Sequence, residues 1–588
     1  MKQFFKMMFA STLGVFVAAG IFMLLFFFIL VSMMGSIGSS PAYIPKANTV
    51  YKIKLDGSLT DNTTNDPLAL LFFNIETPPS LKELLEAIRI AKENEHIAGI
   101  YLEAGSMTTG SANWEALRRA LIDFKESGKF IVAYGDYYSQ GNYYLCSVAD
   151  KIFLNPQGML EIAGMASQTI FYKGILEKAG VHMEVFRVGT YKGYVEAYIQ
   201  DKLSDANREQ IQSYMGTIWK NVTQGIAESR KISVNDVTHF AESGLALSAP
   251  EKAVECGLIN ELKYKDEVEK YIQEIAGQTD RKLRTASTDK IVHIKTSKKV
   301  KTDQIAVVYA EGEIMQESAE SIYINENIIS EKLITELNKQ KRDEKVKAIV
   351  LRVNSPGGSA FLSEQIWHEI IEIKKEKPVV ISMGSTAASG GYYISSAADK
   401  IVAEANTITG SIGIFGMFPN TTGLFQKLGI TTEVVKTNKY ADIGDMSRPL
   451  RDDEKQLIQA HVERGYDLFL RRCAEGRGMS KEAINEVAQG RVWTGEQAKE
   501  LGLVDELGGI DKAISIAAEL ANISDYSINH ISGSSDLFQD FFEKQLEEIK
   551  TTVVKSALGN EFEYWKTIKL IQASSGIQAR LPYDMQPL

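Results

Sequence analysis

Short apolar runs alternate along most of the chain with longer stretches whose apolar positions recur at helical spacing. The runs KAIVLRVNS, PVVISMG and KIVAEA, which begin at residues 347, 378 and 400, are continuously apolar at their centres. Such strands are buried on both faces, as in a parallel sheet that helices cover on each side. The order strand, helix, strand, helix therefore predicts an α/β fold with parallel sheets.

A different pattern occupies the N-terminus, where the 28 residues from Met7 to Met34 carry no charge. As a helix this run spans about 42 Å, which is enough to cross a bilayer. The apolar region of a cleaved signal peptide is shorter, at about 7–15 residues, so the run favours an uncleaved transmembrane anchor. Lys2 and Lys6 precede the run and the next charge is Lys46. This distribution predicts a cytoplasmic N-terminus, with the rest of the chain on the extracytoplasmic side.

The chain also contains one long internal repeat. The segment YSQGNYYLCSVADKIFLN around Gln140 resembles AASGGYYISSAADKIVAE around Ser389, and a shift of 249 residues aligns their Tyr-Tyr and Asp-Lys pairs. Further along, GLINEL at Gly257 matches GLVDEL at Gly502 with a shift of 245 residues. Two copies, rather than a longer array, predict two related domains in tandem.

The two copies differ at positions that matter for chemistry. The shift of 249 residues places Gln140 opposite Ser389 and Lys192 opposite Ala441. The second copy therefore carries a serine that the first lacks, and the first carries a lysine that the second lacks. If the copies pack together, one serine and one lysine meet at their interface, which is the pattern of a Ser–Lys hydrolase.

Composition indicates where the domains end. Residues 279–302 are rich in Lys, Arg, Ser and Thr, which predicts a solvated linker, and apolar residues recur at helical spacing from Leu537 to Val553. That stripe predicts a docking face rather than a second membrane contact. The predicted boundaries are 1–47 for the cytoplasmic stub and anchor, 48–278 for the first repeat, 279–303 for the linker, 304–522 for the second repeat, and 523–588 for a tail with an amphipathic helix.

Charge, cysteine and histidine content narrow the function classes. The net charge of −10 gives no reason to expect a nucleic-acid partner. The three cysteines form neither metal-ligand spacing nor a disulfide framework, and buried thiols are predicted. None of the seven histidines lies between Ser389 and His461. Nothing therefore favours a Ser-His-Asp site, and no metal or other cofactor is predicted.

The first candidate element is NSPGGS, which follows the strand KAIVLRV directly. Pro356 lacks an N–H and bends the chain away from the sheet. Gly357 and Gly358 leave the following backbone amides free to point into a cleft, where they can stabilise an oxyanion. The alternative is a plain strand-to-helix turn. The first copy has SMTTGS at this place and lacks the glycine pair.

The second candidate element is SMGSTAASGGYYIS, in which a strand ends near Met383 and a helix begins near Ser389. A serine at a helix N-terminus exposes its oxygen beside unpaired backbone N–H groups and the positive end of the helix dipole. The Gly390 amide is then a second oxyanion donor, as in other strand–nucleophile–helix turns. The alternative is that Ser389 only caps the helix, as serine often does.

The candidate general base is Lys192, in FRVGTYKGYVEAY. Its bulky neighbours Tyr191, Tyr194 and Tyr198 can exclude water, and desolvation lowers the pKa of a lysine, as a neutral general base requires. Ser411, in TGSIGIFG, can orient the neutral amine by accepting one of its N–H groups. The alternatives are an ordinary surface lysine and a small-residue turn packed against the nucleophile.

Together, NSPGGS, AASGGYY, TGSIGIFG and RVGTYKG resemble the bacterial signal peptide peptidase A family in its long, duplicated form. The resemblance implies a transmembrane helix followed by two tandem domains of the Clp protease/crotonase-like fold. It also implies a membrane-anchored serine endopeptidase that degrades remnant signal peptides, assembled as a bowl-shaped homotetramer. The protein is then expected in the bacterial cytoplasmic membrane, as a single-pass protein with its catalytic domains on the periplasmic side.

The resemblance also assigns roles to individual residues of this chain. It implies Ser389 as nucleophile, Lys192 as general base, Gly358 and Gly390 as oxyanion donors, and Ser411 as the hydroxyl that orients the lysine. Where Clp protease has its histidine, this chain has TGSIG. The Clp-type triad therefore does not carry over.

Two other functions are compatible with the fold. A crotonase-like acyl-CoA enzyme shares the oxyanion amides but needs no nucleophilic serine, and the expected extracytoplasmic location disfavours it because coenzyme A is cytoplasmic. A non-catalytic membrane scaffold of the same fold is the second alternative. The complementary serine and lysine in opposite copies favour the peptidase over both, with peptides as its partners.

Overall fold

The computed structural model describes residues 6–8, 12–14, 16–23, 42–62, 78–294, 301–316, 328–531 and 576–581. The predicted amphipathic stripe from Leu537 to Val553 lies outside the described residues, as does the predicted apolar run beyond Met23. The helix Lys6–Met23 is long and apolar enough to cross a membrane, by length and composition. It is compatible with the predicted anchor.

The first repeat is built on a six-stranded parallel sheet. Its chain-ordered strands are β1 (Thr49–Leu55), β2 (Ile97–Ala104), β3 (Phe130–Tyr138), β4 (Lys151–Leu160), β5 (His182–Arg187), β6 (Glu261–Leu262) and β7 (Thr285–Ala286). All but β5 belong to this sheet, in the order β6-β4-β3-β2-β1-β7, and every neighbouring pair is parallel.

Helices cover this sheet, and several of them begin at a side-chain cap. They are α1 (Leu81–Glu93), α2 (Ser111–Lys125), α3 (Gln140–Cys146), α4 (Lys173–Ala179), α5 (Glu196–Ile199), α6 (Asp205–Arg230), α7 (Val234–Glu242), α8 (Glu251–Glu255), α9 (Lys265–Ile275) and α10 (Thr288–Val292), with a 3₁₀ turn at Leu245–Leu247. At α1, for example, Ser80 and Glu83 form a reciprocal capping box that satisfies two backbone donors left unpaired at a helix start.

The second repeat contains a larger sheet of the same kind. Its strands are β8 (Asp303–Glu311), β9 (Glu313–Ile314), β10 (Ile328–Ile329), β11 (Val346–Ser355), β12 (Gly357–Ser359), β13 (Val379–Ala388), β14 (Lys400–Ala403), β15 (Ile408–Gly410), β16 (Phe415–Asn420), β17 (Val492–Thr494), β18 (Glu506–Leu507) and β19 (Tyr526–Ile531). The central order is β17-β15-β13-β11-β8-β19, with β14 and β18 branching from β13. Within this sheet, only the β15–β17 pair is antiparallel among the described strands.

The helices of the second repeat are similar in length to those of the first. They are α11 (Lys332–Arg342), α12 (Ala360–Lys374), α13 (Gly390–Ser395), α14 (Thr422–Leu428), α15 (Asp452–Arg477), α16 (Lys481–Val487), α17 (Gly495–Glu500) and α18 (Ile510–Leu520). Helices α6 and α15 are both 26 residues long. The apolar strand predicted from KAIVLRVNS is fully buried from Ala348 to Leu351, as a strand with helices on both faces must be. The predicted α/β fold with parallel sheets in two copies is confirmed.

A third sheet joins the two repeats and the C-terminal tail. The tail contributes β20 (Gly576–Arg580), and the order is β10-β9-β12-β20-β16-β5. Strand β5 comes from the first repeat, whereas β9, β10, β12 and β16 come from the second. This sheet therefore brings residues from distant parts of the sequence to one edge of the second repeat.

Charged side chains also hold the repeats together. Arg352 and Asp61 form an ion pair of 2.8 Å in which both side chains are at most 3% exposed. Arg119 of the first repeat pairs with Glu404 of the second at 2.7 Å. The Arg352–Asp61 pair is buried on both sides and is therefore costly to break, because removal of one partner leaves an uncompensated charge.

The predicted domain ends differ from the observed ones. Part of the predicted linker belongs to the first repeat, because β7 pairs with β1 and Ile291 of α10 is fully buried. Most charged residues from Asp280 to Lys290 are exposed, which is why composition alone suggested a solvated connection. The second repeat extends past residue 522, because β19 pairs with β8 over six residues. Strand β20, in the predicted tail, lies in the third sheet.

Candidate active site

Lys192 reaches the second repeat because strand β5 leaves its own domain. Strand β5 pairs antiparallel with β16 over six residue pairs. The following loop continues along the second repeat, where the Tyr191 N–H donates to the Gln489 carbonyl at 3.0 Å. Buried backbone groups need such partners, so the loop that carries Lys192 is held by main-chain contacts to the other copy.

Ser389 lies in a sharp turn between strand β13 and helix α13. Its backbone has φ 55° and ψ −113°, a region that residues other than glycine rarely occupy. The Ser389 N–H donates to the Gly410 carbonyl, and the Ser389 carbonyl accepts from the Tyr393 N–H, both at 2.8 Å. The Ser389 side chain makes no capping hydrogen bond, so the helix-cap alternative does not describe it. A strained serine between a strand and a helix has the geometry of a nucleophile elbow.

The side chains of Lys192 and Ser389 meet although 197 residues separate them in sequence. Lys192 Nζ lies 2.7 Å from Ser389 Oγ and 3.1 Å from both Ser411 Oγ and the Ser411 carbonyl oxygen. All three residues are fully buried. A carbonyl oxygen can only accept, so it orients one Nζ–H away from Ser389. The structure thus brings together the predicted nucleophile, base and orienting residue.

Two glycine turns of the second repeat enclose the lysine side chain. A Cβ added at Gly490 would lie 2.7 to 2.8 Å from the Lys192 N, Cα and Cβ atoms, and one at Gly413 would lie 3.3 Å from Cδ. Burial lowers the pKa of the Lys192 amine well below its ordinary value, because desolvation disfavours the charged form. Of the predicted tyrosine neighbours, Tyr194 packs nearby by stacking on Phe415, with ring centroids 5.2 Å apart.

The predicted oxyanion glycines lie where two backbone segments approach closely. Gly357 has φ 100° and Gly358 has φ 148°, conformations that L side chains rarely adopt. A Cβ added at Gly357 would lie 2.6 Å from the Gly390 nitrogen. The NSPGGS turn therefore packs directly on the first residue of α13, beside Ser389. This arrangement can direct two backbone amides at one oxygen atom.

Sequence reasoning missed a third segment that holds the site. In the turn from Gln489 to Arg491, the Gln489 carbonyl accepts a hydrogen bond from the lysine loop, and the Arg491 carbonyl accepts one from the Ser411 N–H at 2.6 Å. The Arg491 guanidinium donates to the Tyr191 hydroxyl at 3.0 Å. In the sequence, the turn from Gln489 to Arg491 is marked only by a glycine between a helix and a strand, in AQGRVW. Such a glycine predicts a turn and no more.

The corresponding positions of the first repeat serve local structure. The Gln140 side-chain carbonyl accepts from the backbone N–H groups of Ala163 and Gly164, at 3.3 and 3.0 Å. Thr109, opposite Gly358, donates its hydroxyl to a backbone carbonyl at 3.1 Å. Ala441, opposite Lys192, is exposed on the second repeat. The first repeat therefore contributes a lysine to the second repeat's site and has other contacts where its own site would be.

The described residues include no cluster of His, Cys, Asp and Glu side chains that could hold a metal ion. The three cysteines are free thiols, of which Cys146 and Cys473 are buried and Cys256 is partly exposed. Burial raises the pKa of the Cys146 and Cys473 thiols, so these two side chains are poor nucleophiles.

Comparison with known proteins points to one class. A family model described as peptidase family S49 matches residues 123–279 and 371–524, and one described as Clp protease matches residues 297–408. Protease 4 of Salmonella typhi is 38% identical over 464 residues, which cover 77% of this chain and 74% of that protein. Protease 4 of Haemophilus influenzae is 36% identical and covers 81% of this chain and 80% of its own length. The chloroplastic serine protease SPPA of Arabidopsis thaliana is 36% identical, covering 76% of this chain and 66% of that protein.

Proposed function

This chain belongs to peptidase family S49 and is a serine peptidase, and we propose that it cuts peptides with a Ser389–Lys192 pair. The observation that carries the proposal is the 2.7 Å contact between Lys192 Nζ and Ser389 Oγ inside a buried site. An acyl-CoA enzyme has no use for this pair, and a scaffold has no use for a strained serine. The three relatives described above, each named as a protease, favour neither alternative.

The proposed reaction begins with the neutral amine of Lys192. Two of its N–H groups face the oxygens of Ser411, so its lone pair can accept the Ser389 hydroxyl proton. Ser389 Oγ then attacks the scissile carbonyl, and the amides of Gly358 and Gly390 stabilise the oxyanion. Lys192 passes the proton to the leaving amine. Water then hydrolyses the acyl-enzyme, with Lys192 again as base.

Two properties of the substrate follow from the motifs and the site. The resemblance to signal peptide peptidase A suggests remnant signal peptides and similar extended, apolar peptides as substrates. An extended peptide suits a site that lies beside sheet strands, because it can bind by adding a strand. No cofactor is required by this chemistry.

The decisive test replaces the nucleophile. Purified Ser389→Ala should lose peptide hydrolysis by about 10⁴-fold or more, because no other group can form the acyl-enzyme. The matched control is Ser139→Ala, at the start of the corresponding helix α3, where the side chain caps a backbone N–H. The control should keep its activity. Normal turnover by Ser389→Ala, measured by mass spectrometry of added peptides, would contradict the proposal.

We propose further that the N-terminal helix anchors the protein in the bacterial cytoplasmic membrane, with the catalytic domains outside the cytoplasm, and that the chain forms a homotetramer. The helix Lys6–Met23 supports the anchor. For assembly, residues 431–436 correspond to β5, yet they form no strand and are exposed, with Val435 95% exposed. In a ring of copies, this segment would pair with the first repeat of the neighbouring copy, as β5 pairs with β16 within one chain.

One preparation tests both parts of this proposal. A chain lacking residues 1–41 should be soluble without detergent, should cut added peptides, and should have the mass of a tetramer by light scattering. A well-folded but inactive product would show that the anchor helps to build the site. A monomer that is fully active would contradict the assembly.

A further inference from the structure

An arginine of the second repeat is held by side chains from three helices. The Arg472 guanidinium on α15 pairs with Glu364 of α12 at 2.6 Å and with Glu475 of α15 at 3.3 Å. It also lies 3.9 Å from the centre of the Trp367 ring. The Tyr393 hydroxyl of α13 donates to Glu364 at 2.6 Å. Two carboxylates, one of them fixed by a tyrosine hydroxyl, therefore hold one guanidinium group.

The first repeat has the same acceptors but no arginine at this place. The shift of 249 residues and the alignment of α6 with α15 from their first residues identify the residues that correspond to Glu364, Tyr393 and Glu475, which are Glu115 of α2, Tyr144 of α3 and Glu228 of α6. The same alignment places Gly225 opposite Arg472. The first repeat therefore keeps the acceptors and has no side chain that could carry the cation from α6.

The three acceptors line one cavity between the repeats. It has a volume of about 740 Å³ and extends to Glu496 of the second repeat. Glu115 Oε2 accepts the Asn406 N–H at 2.9 Å, and its Oε1 accepts from no residue that the structure describes. The Tyr144 side chain is only 6% exposed, yet its hydroxyl makes no hydrogen bond with the described residues. Buried hydroxyls normally have a partner, so the cavity suits a polar ligand.

The basic residues around this cavity do not neutralise Glu115. Arg118 directs its terminal N–H groups at two backbone carbonyls and two serine hydroxyls. Lys125 pairs with Asp150 at 2.8 Å, and Lys231 is exposed at the end of α6. Burial, together with the nearby Glu404, raises the pKa of Glu115 to about 8, as expected for a carboxylate without its own cationic partner.

We propose that this cavity binds a small cation that carries a guanidinium group on an alkyl chain. The guanidinium donates to the Glu115 carboxylate and the Tyr144 oxygen, since its planar set of N–H groups matches such acceptors. Glu228 and Glu496 add negative charge at the cavity wall, and Ile122 offers an apolar contact to the alkyl chain. The proposal does not rest on the Ser–Lys mechanism.

Calorimetric titration of the full-length protein with butylguanidinium tests the site. At pH 8.5 more than half of Glu115 is ionised, and one equivalent should bind per chain. Butylurea has a similar shape without the charge. It should bind at least about 10-fold more weakly, because it cannot form charge-assisted hydrogen bonds. Lack of saturable butylguanidinium binding, or equal binding of the two compounds, overturns the inference.

Two variants assign the binding to the first repeat. Glu115→Gln should weaken butylguanidinium binding at least about 10-fold and Tyr144→Phe at least about 3-fold, since they remove a charged and a neutral acceptor. Glu364→Gln is the matched control and should keep the wild-type affinity, because its guanidinium partner is Arg472 of the same chain. Wild-type affinity in both first-repeat variants overturns the site.

Removal of Arg472 gives a reciprocal test. Arg472→Gly leaves the second repeat with the same acceptors and no cation, so this variant should bind two equivalents of butylguanidinium. Its Tm should also rise more than that of the wild type when the compound is added, because a ligand that binds the folded state stabilises it. A variant that binds a single equivalent would show that these acceptors do not hold a free guanidinium, which overturns the inference.

An arginine side chain of a polypeptide carries the same chemical group as a free alkylguanidinium. A blocked Ala-Arg-Ala peptide, titrated in parallel into Ser389→Ala so that it is not cut, distinguishes the two sources. Tighter binding of butylguanidinium than of the peptide supports a free small cation. Tighter binding of the peptide overturns that part of the inference.

Discussion

The two repeats share contacts that stabilise their folds and differ at the positions proposed for catalysis. In each, the lysine at the end of a helix pairs with the aspartate that directly precedes the second strand after that helix. The first tyrosine of the Tyr-Tyr pair donates to a leucine carbonyl near the end of the domain. The lysine–aspartate pairs are Lys125 with Asp150 and Lys374 with Asp399. The tyrosine contacts are Tyr143 with Leu258 and Tyr392 with Leu503, at 2.6 and 2.9 Å.

The catalytic positions show what duplication permits. Each repeat keeps the contacts that stabilise its own fold, but one site needs only one serine and one lysine. Once β5 crosses to β16, the lysine of the first repeat contacts the serine of the second. The missing serine of the first repeat and the missing lysine of the second are then not needed. The segment opposite β5 in the second repeat is exposed instead.

One acidic position differs between the repeats in the same manner. Glu364 of α12 pairs with Arg472 at 2.6 Å. The shift of 249 residues places Glu115 of α2 opposite Glu364. When the two 26-residue helices α6 and α15 are aligned from their first residues, Gly225 lies opposite Arg472, so the first repeat has no cation at this position. Burial, with the nearby Glu404, raises the pKa of Glu115 to about 8. An equivalent residue is therefore a salt-bridge partner in one repeat and a partly buried acid with a raised pKa in the other.

The largest effect is expected when the lysine is moved to the other repeat. Lys192→Met should lower kcat/KM by about 10²–10⁴-fold, the usual contribution of a general base. The double variant Lys192→Met, Ala441→Lys carries the lysine at the corresponding position, and it should not recover activity because residue 441 is exposed. Peptide turnover measures both. Rescue by the double variant would mean that the repeats can exchange roles.

The wild type supplies a pH readout for the same comparison. Because burial lowers the pKa of Lys192, kcat/KM should rise with pH as the amine loses its proton and then level off. Lys192→Arg should remove both the rise and the activity, since arginine stays protonated. If Lys192→Arg kept the wild-type profile, a group other than Lys192 would be the base.

A smaller effect is expected from the turn that encloses the lysine. Gly490→Ala places a Cβ within 2.8 Å of Lys192 backbone atoms, so it should shift the lysine and lower kcat by about 10–100-fold. Gly478→Ala is the control, because Gly478 also has positive φ, at 63°, but has open space around its added Cβ. Both should lose about 1–2 kcal/mol of stability from backbone strain. A kcat equally unchanged in both would show that the turn does not position Lys192.

The smallest effect concerns Glu115 and stability rather than activity. With a folded-state pKa of about 8 and an ordinary unfolded pKa near 4.3, the folded protein holds a proton that the unfolded chain has released. The free energy of unfolding should therefore fall as pH rises from about 4 to 8, and then level off. Glu115→Gln should lack this loss. Its Tm advantage over the wild type should be larger at pH 8 than at pH 5, and Glu364→Gln should show no such gain.

Some of the structure could be read from the chain directly. Continuous apolar strands such as KAIVLRVNS, glycine pairs, and the repeated Tyr-Tyr and Asp-Lys pairs are local signals, because periodicity and turn chemistry act over a few residues. They predicted the parallel sheets, the two copies, and a serine at a strand–helix turn. The complementary absence of Ser and Lys also predicted that one site would need both repeats, and the structure places Lys192 against Ser389.

Other features depended on contacts between distant segments. The linker was misjudged because β7 is a strand only by pairing with β1, and two-residue strands have no period of their own. The turn at Gly490 matters only because Lys192 passes within van der Waals distance of it. The position of β20 beside Gly358 joins residues more than 200 apart. The sequence by itself determined the elements and the chemistry available to them, whereas the tertiary structure decided which side chains share a desolvated space, because that depends on non-local packing.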